Sequence, residues 1–521
     1  MITLQSYVMG RWMASTGSPL VLLNATTEAP LAQASSEGVD FAGALAFARE
    51  RGGPALRAMT FAQRGDMLKA LSDAIVKHRD ELFALAMDNG GNTRSDAKFD
   101  VDGASATLAG YAELCKSLGD ARYLVDGEMV SLGRSSRLSG QHYWTPRHGV
   151  AVHINAFNFP AWGLAEKAAC CLAAGMPLVT KPATATALVA WRMMQVMVDS
   201  GAMPEGAAQF VAGSAGNMLD HLGAQDVLAF TGSSDTAVKL RGHRRVLEKG
   251  VHVNVEADSL NLALGGPDLE RGSATYDLFI NNIVKEMTQK AGQKCTAIRR
   301  ILVHTDRVEM VQEDLVDRLS QQKVGDVHRD DVTVGPLATA QQKHDVLAGL
   351  RKLMEGAKVV LGGPDGLSLL GADPAKGFFV MPTLLSAPDS DAAHAAHGVE
   401  VFGPVATLLP FKDTAHAVAL AARGEGGLVA SIYSDDKAFS QQAMFGLAPH
   451  HGRICVGSDK VAGSFFPPGM VTPMLTHGGP GRAGGGEELG GLRGMQLYMQ
   501  RTAVQAFGPW LETLNAAGRK V

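Results

Sequence analysis

From about residue 148 the chain keeps one rhythm: short apolar runs, each about 30 residues or fewer from the last, with helix-like segments between. "GVAVHINAF" alternates Val150, Val152 and Ile154, as a strand does, and a helical run follows over 161–174. The runs "PLVTK", "AQFVAG" and "VLAFTG" come next. Parallel strands can only be joined by long crossovers, usually helices, so this spacing predicts βαβ units around a parallel sheet. After Glu256 a second series begins: "RRILVH", "KVVLGG", "FFVMPTLL", "PVATLLPF", "LVASIYS" and "RICVGS". A chain of 521 residues is too long for one ordinary core. Two α/β domains in tandem are expected, changing over near 257–265. Ahead of them, residues 60–86 repeat Met67, Leu71, Ala74, Ile75 and Leu82 at helical spacing, and Gly90-Gly91 punctuates the run.

Composition excludes several classes. Apolar residues are 46% and charged residues 19%, with a net charge of −4, as in a folded globular protein. Lys and Arg are spread along the chain, and runs such as "RGHRR" at 241–245 read as solvated faces, not as a nucleic-acid footprint. The five cysteines are odd in number and irregularly spaced, without a CxxC pair, which argues against a disulfide scaffold or a structural zinc site. "MITLQSYVMGRW" lacks the pattern of a signal peptide, and "AACCLAAGMPLV" at 168–179 is too short to span a bilayer. A cytoplasmic protein is expected, with no membrane or nucleic-acid partner.

Some motifs fail on context. Gly479, Gly481 and Gly484 fit GxGxxG, but no clear strand precedes them and no helix follows. "HGGPGRAGGGEELGG" at 477–491 therefore reads as a loop. His394, His397 and Glu400 have helical spacing, but two histidines without a third firm ligand read as surface residues before a turn, and no metal is expected.

"GQKCTAIRR" places Cys295 after a small, flexible run. Free cysteines are mostly buried and inert. To act as a nucleophile, Cys295 needs an oxyanion donor and a base that activates water. Asn158 in "NAFNFP" and Glu256 in "VNVEAD" stand at the carboxyl ends of expected strands, where α/β active sites gather. Either residue alone is more often a turn or cap.

The set, taken in order, resembles the NAD(P)-dependent aldehyde dehydrogenase superfamily from about residue 20 to 505. "GQKCTA" is similar to its nucleophile motif, "NAFNFP" to the run before its oxyanion asparagine (with Phe157 at the usual Trp place), and "VEAD" to its general-base motif. After Glu256 this chain reads Ala-Asp-Ser where the family usually has Leu-Gly-Gly. "FTGSSDTA" resembles the phosphate-contacting turn and "TKPATAT" carries the ribose lysine, Lys181. "EVFGP" supplies Glu400 and Phe402 for the nicotinamide ribose and ring. The resemblance implies Cys295, Glu256 and Asn158 as catalytic residues. It implies Lys181, Thr184, Gly216, Thr231, Gly232, Ser233, Ala257, Glu400 and Phe402 as the cofactor-binding set.

The resemblance also implies the fold: two Rossmann-like parallel-sheet domains plus an oligomerisation β-hairpin and tail. The cofactor-binding domain is expected over 1–121 and 148–257, the catalytic domain over 258–490, and the hairpin and tail over 122–147 and 491–521. The 122–147 segment itself reads as strand-like runs around polar turns, needing the C-terminal tail or another subunit as a partner, and a homodimer or larger assembly is expected. Thr184 stands where many NAD-preferring members carry a glutamate. This points to NADP with NAD possible, although a helix cap is the bland use of that threonine. The departure from Ser464 onward, "SFFPPGMVTPMLTHGGPGRAGGGEELGG", resembles the branch acting on coenzyme-A-linked semialdehydes in aerobic catabolism of aromatic acids. Some members carry a fused hydratase domain, and a stand-alone enzyme is expected here. Glu256 favours hydrolysis over acyl transfer to coenzyme A. A general aldehyde dehydrogenase, a non-catalytic scaffold and a thiol redox sensor are the alternatives. Lys294 is a candidate for tuning the thiol.

Overall fold

A computed structural model describes residues 1–133 and 137–521. Two seven-stranded sheets organise it. In the first, the strands His252–Glu256, Val227–Thr231, Ala151–Ile154, Leu178–Lys181 and Ala208–Phe210 run parallel in that spatial order. Ser6–Val8 and Arg11–Met13 extend its far edge antiparallel. In the second, Thr383–Ser386, Val405–Phe411, Arg300–His304, Leu262–Gly265, Gly427–Tyr433 and His451–Gly457 are parallel.

Some local expectations change. "KVVLGG" is an antiparallel edge strand, Lys358–Leu361, with an irregular register. Only the end of "FFVMPTLL" forms a strand, because Pro382 has no N–H for a ladder. The 60–86 run is two helices, Phe61–Lys77 and Arg79–Gly90, meeting at His78. Thr60 and Gln63 form a capping box at the first helix's start, and Gly91, in the left-handed region, stops the second.

Buried helices pack the first sheet, with Phe61–Lys77, Arg94–Leu118, Trp162–Ala174 and Ala187–Asp199 sharing one apolar cluster. Trp162–Ala174 is almost wholly buried, and its alanines let its neighbours approach closely. A Cβ on Gly103 would lie 2.3 Å from the Trp162 ring. Asp100 supplies the start of this helix, accepting from the N–H groups of Ala161 and Trp162.

The segment over 122–147 forms the antiparallel pair Leu124–Ser131 and Leu138–Pro146; the part over 134–136 lies outside the described residues. The tail of the same chain completes this sheet: Met499–Phe507 pairs along Leu138–Pro146, and Arg519–Lys520 joins the other edge. Among the described residues, no helix is long and apolar enough to cross a membrane.

Candidate active site

The first sheet's parallel strands end on one side, and their carboxyl ends deliver the polar groups. Asn158 follows Ala151–Ile154, Lys181 ends Leu178–Lys181, Thr231 ends Val227–Thr231 and Glu256 ends His252–Glu256. Cys295 comes from the segment between helix Ala274–Thr288 and strand Arg300–His304 of the second sheet. Asn158, Glu256 and Cys295 line one small chamber with Phe159, Trp162 and Val471.

The approach to the thiol is not a flexible run. Lys290, Ala291 and Gly292 all have positive φ, at 54°, 51° and 68°. For Lys and Ala this region is strained, so surrounding contacts must hold it. A Cβ on Gly292 would sit 2.2 Å from the Gly403 carbonyl oxygen, which makes glycine obligatory there. Arg299 clamps the loop, donating to the carbonyls of Gly403, Gly292 and Lys294. Asn261 donates to the Cys295 and Ala297 carbonyls. The Asn158 amide donates one hydrogen to the Gln293 carbonyl at 3.0 Å, leaving its second for another acceptor.

Lys294 turns away from tuning duty. It is fully buried and paired with Glu286 at 2.8 Å, and it also donates to Gln289. The other oxygen of Glu286 accepts from Gly469 N–H, which lines the chamber.

A residue the sequence reading missed completes the centre. His477 Nε2 lies 3.2 Å from Glu256 Oε2 and 3.8 Å from Cys295 Sγ. Its stretch is not a loop throughout. Thr476–Gly478 and Glu487–Leu489 form a short antiparallel ladder, with His477 opposite Glu488. Burial pushes the Glu256 carboxyl up, but the attraction of His477 and then Lys167 outweighs it and brings the group down to about 2. Burial pulls His477 down, and Glu256 more than restores it, for a net rise. The Cys295 thiol is pushed well up, first by burial and then by Glu256. Together these shifts favour a carboxylate–imidazolium pair beside a neutral thiol.

Behind Glu256 lies a second buried cluster. Lys167 contacts Glu166, Glu488 and the Thr231 hydroxyl. Burial, and secondarily Glu488, push Glu166 up to about 8 against the pull of Lys167. The detectable signal was an adjacent Glu-Lys inside an otherwise apolar helix. His397, expected at the surface, is buried: its ring meets the Ser390 carbonyl and Arg300.

A cleft of about 560 Å³ opens onto Cys295, lined by Lys181, Thr231, Gly232, Ser233, Ala257, Glu400 and Phe402. Phe157 meets Phe402 edge-on at its wall. Ser233 caps helix Ser234–Arg241, whose positive end suits a phosphate. Glu400 Oε1 is buried without a hydrogen bond, 3.9 Å from Arg299 Nε, and faces the cleft. Thr184 and Gly216 instead line an adjoining pocket with Ser36, Ser214 and Glu37. The Thr184 hydroxyl donates to the Gly213 carbonyl at 3.0 Å and makes no helix cap.

A strained, clamped thiol facing an amide donor and a buried carboxylate, beside a dinucleotide-sized cleft between two parallel sheets, defines a class. The chain belongs to the aldehyde dehydrogenase family, whose model matches residues 12–504. It is 45% identical over 477 residues to 3,4-dehydroadipyl-CoA semialdehyde dehydrogenase of Aromatoleum evansii, covering 92% of this chain and 93% of the relative. It is 28% identical to succinate-semialdehyde dehydrogenase [NADP(+)] GabD of Escherichia coli K12, over 90% of this chain and 92% of that one. The solved structure of betaine aldehyde dehydrogenase from Staphylococcus aureus in complex with NAD+ has the same fold, with a TM-score of 0.84 at 22% identity. The match covers 97% of this chain and 95% of that one.

Proposed function

We propose that the protein oxidises a coenzyme-A-linked semialdehyde, such as 3,4-dehydroadipyl-CoA semialdehyde, to the free acid with NADP+ in benzoate-type aromatic catabolism. The observation that carries the chemistry is the convergence of Cys295, Glu256 and Asn158 on one chamber. The 45% identity to a dehydrogenase of that name supports the substrate class.

Cys295 thiolate attacks the aldehyde carbon. The oxyanion is held by the Asn158 amide and the Cys295 backbone N–H. When bound, the nicotinamide supplies a hydride acceptor. Lys181, Ser233, Glu400 and Phe402 hold and orient the cofactor, and the unpartnered oxygen of Glu400 suits a ribose hydroxyl. The resulting Cys295 thioester is hydrolysed by water that Glu256 deprotonates. Glu256 is buried and lines the chamber, with His477 beside Oε2 and no hydrogen bond at Oε1. Hydrolysis is therefore favoured over transfer to free coenzyme A.

The preference for NADP is supported by Thr184 standing in its pocket where a carboxylate would repel a phosphate, and by the Ser36 and Ser214 hydroxyls beside it, with exposed Glu37 the opposing charge. A homodimer or larger assembly is supported by the long, mostly exposed edge strand Met499–Phe507 and by exposed Leu138, Phe507 and Trp510. The experiment is a panel of free and coenzyme-A-linked semialdehydes assayed with both cofactors, with and without free coenzyme A. Better kcat/KM on simple aliphatic aldehydes would sink the substrate assignment, and an acyl-CoA product would sink the hydrolytic one.

A further inference from the structure

We propose that His477 is a further catalytic residue, a protonated imidazole serving as shared counter-ion to Glu256 and Cys295 while the thiol proton passes to the carboxylate. The inference rests on reading Cys295 as nucleophile and Glu256 as base.

The geometry is that of one cation between two acids. A single atom, Nε2, lies 3.2 Å from Glu256 Oε2 and 3.8 Å from Cys295 Sγ. The nitrogen, the sulfur and a carboxylate oxygen all lie within 4.8 Å of one another. The ring is held by its ladder with Glu487–Leu489 and is almost fully buried, so water screens neither contact.

The proton step balances without a co-reactant. The Cys295 S–H bond breaks and an O–H bond forms on Glu256. No electron is gained or lost, and the imidazolium keeps both its protons. Negative charge moves from oxygen to sulfur, and the same cation borders it before and after. Without that cation, the move would leave an uncompensated thiolate in a buried site facing Glu166 and Glu400, where burial first, and the carboxylates after it, hold the thiol neutral at rest.

Every charged neighbour of His477 bears on this state. Glu256 faces it from the first sheet, Glu166 and Lys167 from helix Trp162–Ala174, and Glu488 from the paired strand. Arg453 comes from the second sheet, and its guanidinium is spent on the carbonyls of Pro468 and Met470. Burial first, and then Arg453, disfavour the charged ring; the carboxylates, Glu256 foremost, outweigh both for a net rise.

The test needs no aldehyde. Alkylation of Cys295 by iodoacetamide is followed at pH 7 by mass spectrometry of its peptide in the full-length protein. In His477→Ala and in the size-matched His477→Gln, the rate is expected to fall by about tenfold or more, the equivalent of one pKa unit. Circular dichroism and NADP+ binding report whether each variant is folded. Added imidazole should restore alkylation in His477→Ala, whereas pyrazole, similar in shape but uncharged at that pH, should not. A wild-type rate in His477→Gln, or equal rescue by pyrazole, would overturn the proposal. If the variants behave as expected but the wild type oxidises no aldehyde, the proposed function falls and this inference stands.

Discussion

The buried Lys294–Glu286 pair is expected to fix the nucleophile loop, and breaking it one partner at a time measures how strongly. At 2.8 Å and an effective dielectric of about 20, the gross attraction is 332/(20 × 2.8), or about 6 kcal/mol. Desolvation of two fully buried ions offsets most of this, so the intact pair contributes little net stability. Leaving one ion alone is another matter, at about 3–5 kcal/mol. Lys294→Met should therefore cost about 3–5 kcal/mol. Glu286→Leu should cost about 1 kcal/mol more, because Gly469 N–H also loses its acceptor. The double variant, which removes both charges together, should cost only about 1 kcal/mol, for the lost Gly469 acceptor, so the coupling is about 6 kcal/mol or more. Hydrogen exchange of the peptide spanning 290–300 reads the local opening free energy directly. If the double variant opens as readily as either single one, the ion pair is not what holds the loop.

Three other outcomes are expected. Asn158→Ala should lower kcat by about 10²–10³ while leaving cofactor binding intact, checked by steady-state kinetics beside fluorescence titration. His153, His397 and His451 are pulled down to about 3, 4 and 4, chiefly by burial, so the unfolded chain binds their protons first as pH falls. Their contribution is complete above the unfolded value of about 6.5 and is lost as pH falls toward those folded values, at about 4 kcal/mol per pH unit for the three together. Urea midpoints measured between pH 7 and 5 should drop accordingly, and a flat profile would refute the assignment. Glu37→Gln should raise the NADP-to-NAD ratio of kcat/KM, because its carboxylate lines the pocket of Thr184; an unchanged ratio would remove Glu37 from cofactor choice.

The parallel strands were legible because buried strands read as apolar runs at regular spacing. Cys295, Glu256 and Asn158 stand in short motifs at or beside the chamber the strands build. Edge strands were harder: Lys358–Leu361 has the same apolar look as its parallel neighbours, and only pairing reveals its direction. His477 was hidden by its glycine-rich surroundings, whose turns enclose a two-stranded ladder. Its partners, Glu256 and Cys295, are far away in sequence, and nothing local marks a histidine that a distant carboxylate will charge. The strain at Lys290 and Ala291 was illegible for a similar reason, since positive φ there is imposed by packing.

Arg299 gives that strained loop a listener. The guanidinium that grips the carbonyls of Gly292 and Lys294 also lies 3.9 Å from Glu400 and 5.3 Å above the Phe402 ring. A molecule that settles against Glu400 and Phe402 thus pushes on the same planar group that anchors the thiol. Linkage makes the effect mutual: whatever affinity an ordered thiol lends the cofactor, the cofactor returns as order at the thiol. A ligand in the cleft and one at the thiol can thereby sense each other through one arginine, in addition to any direct contact.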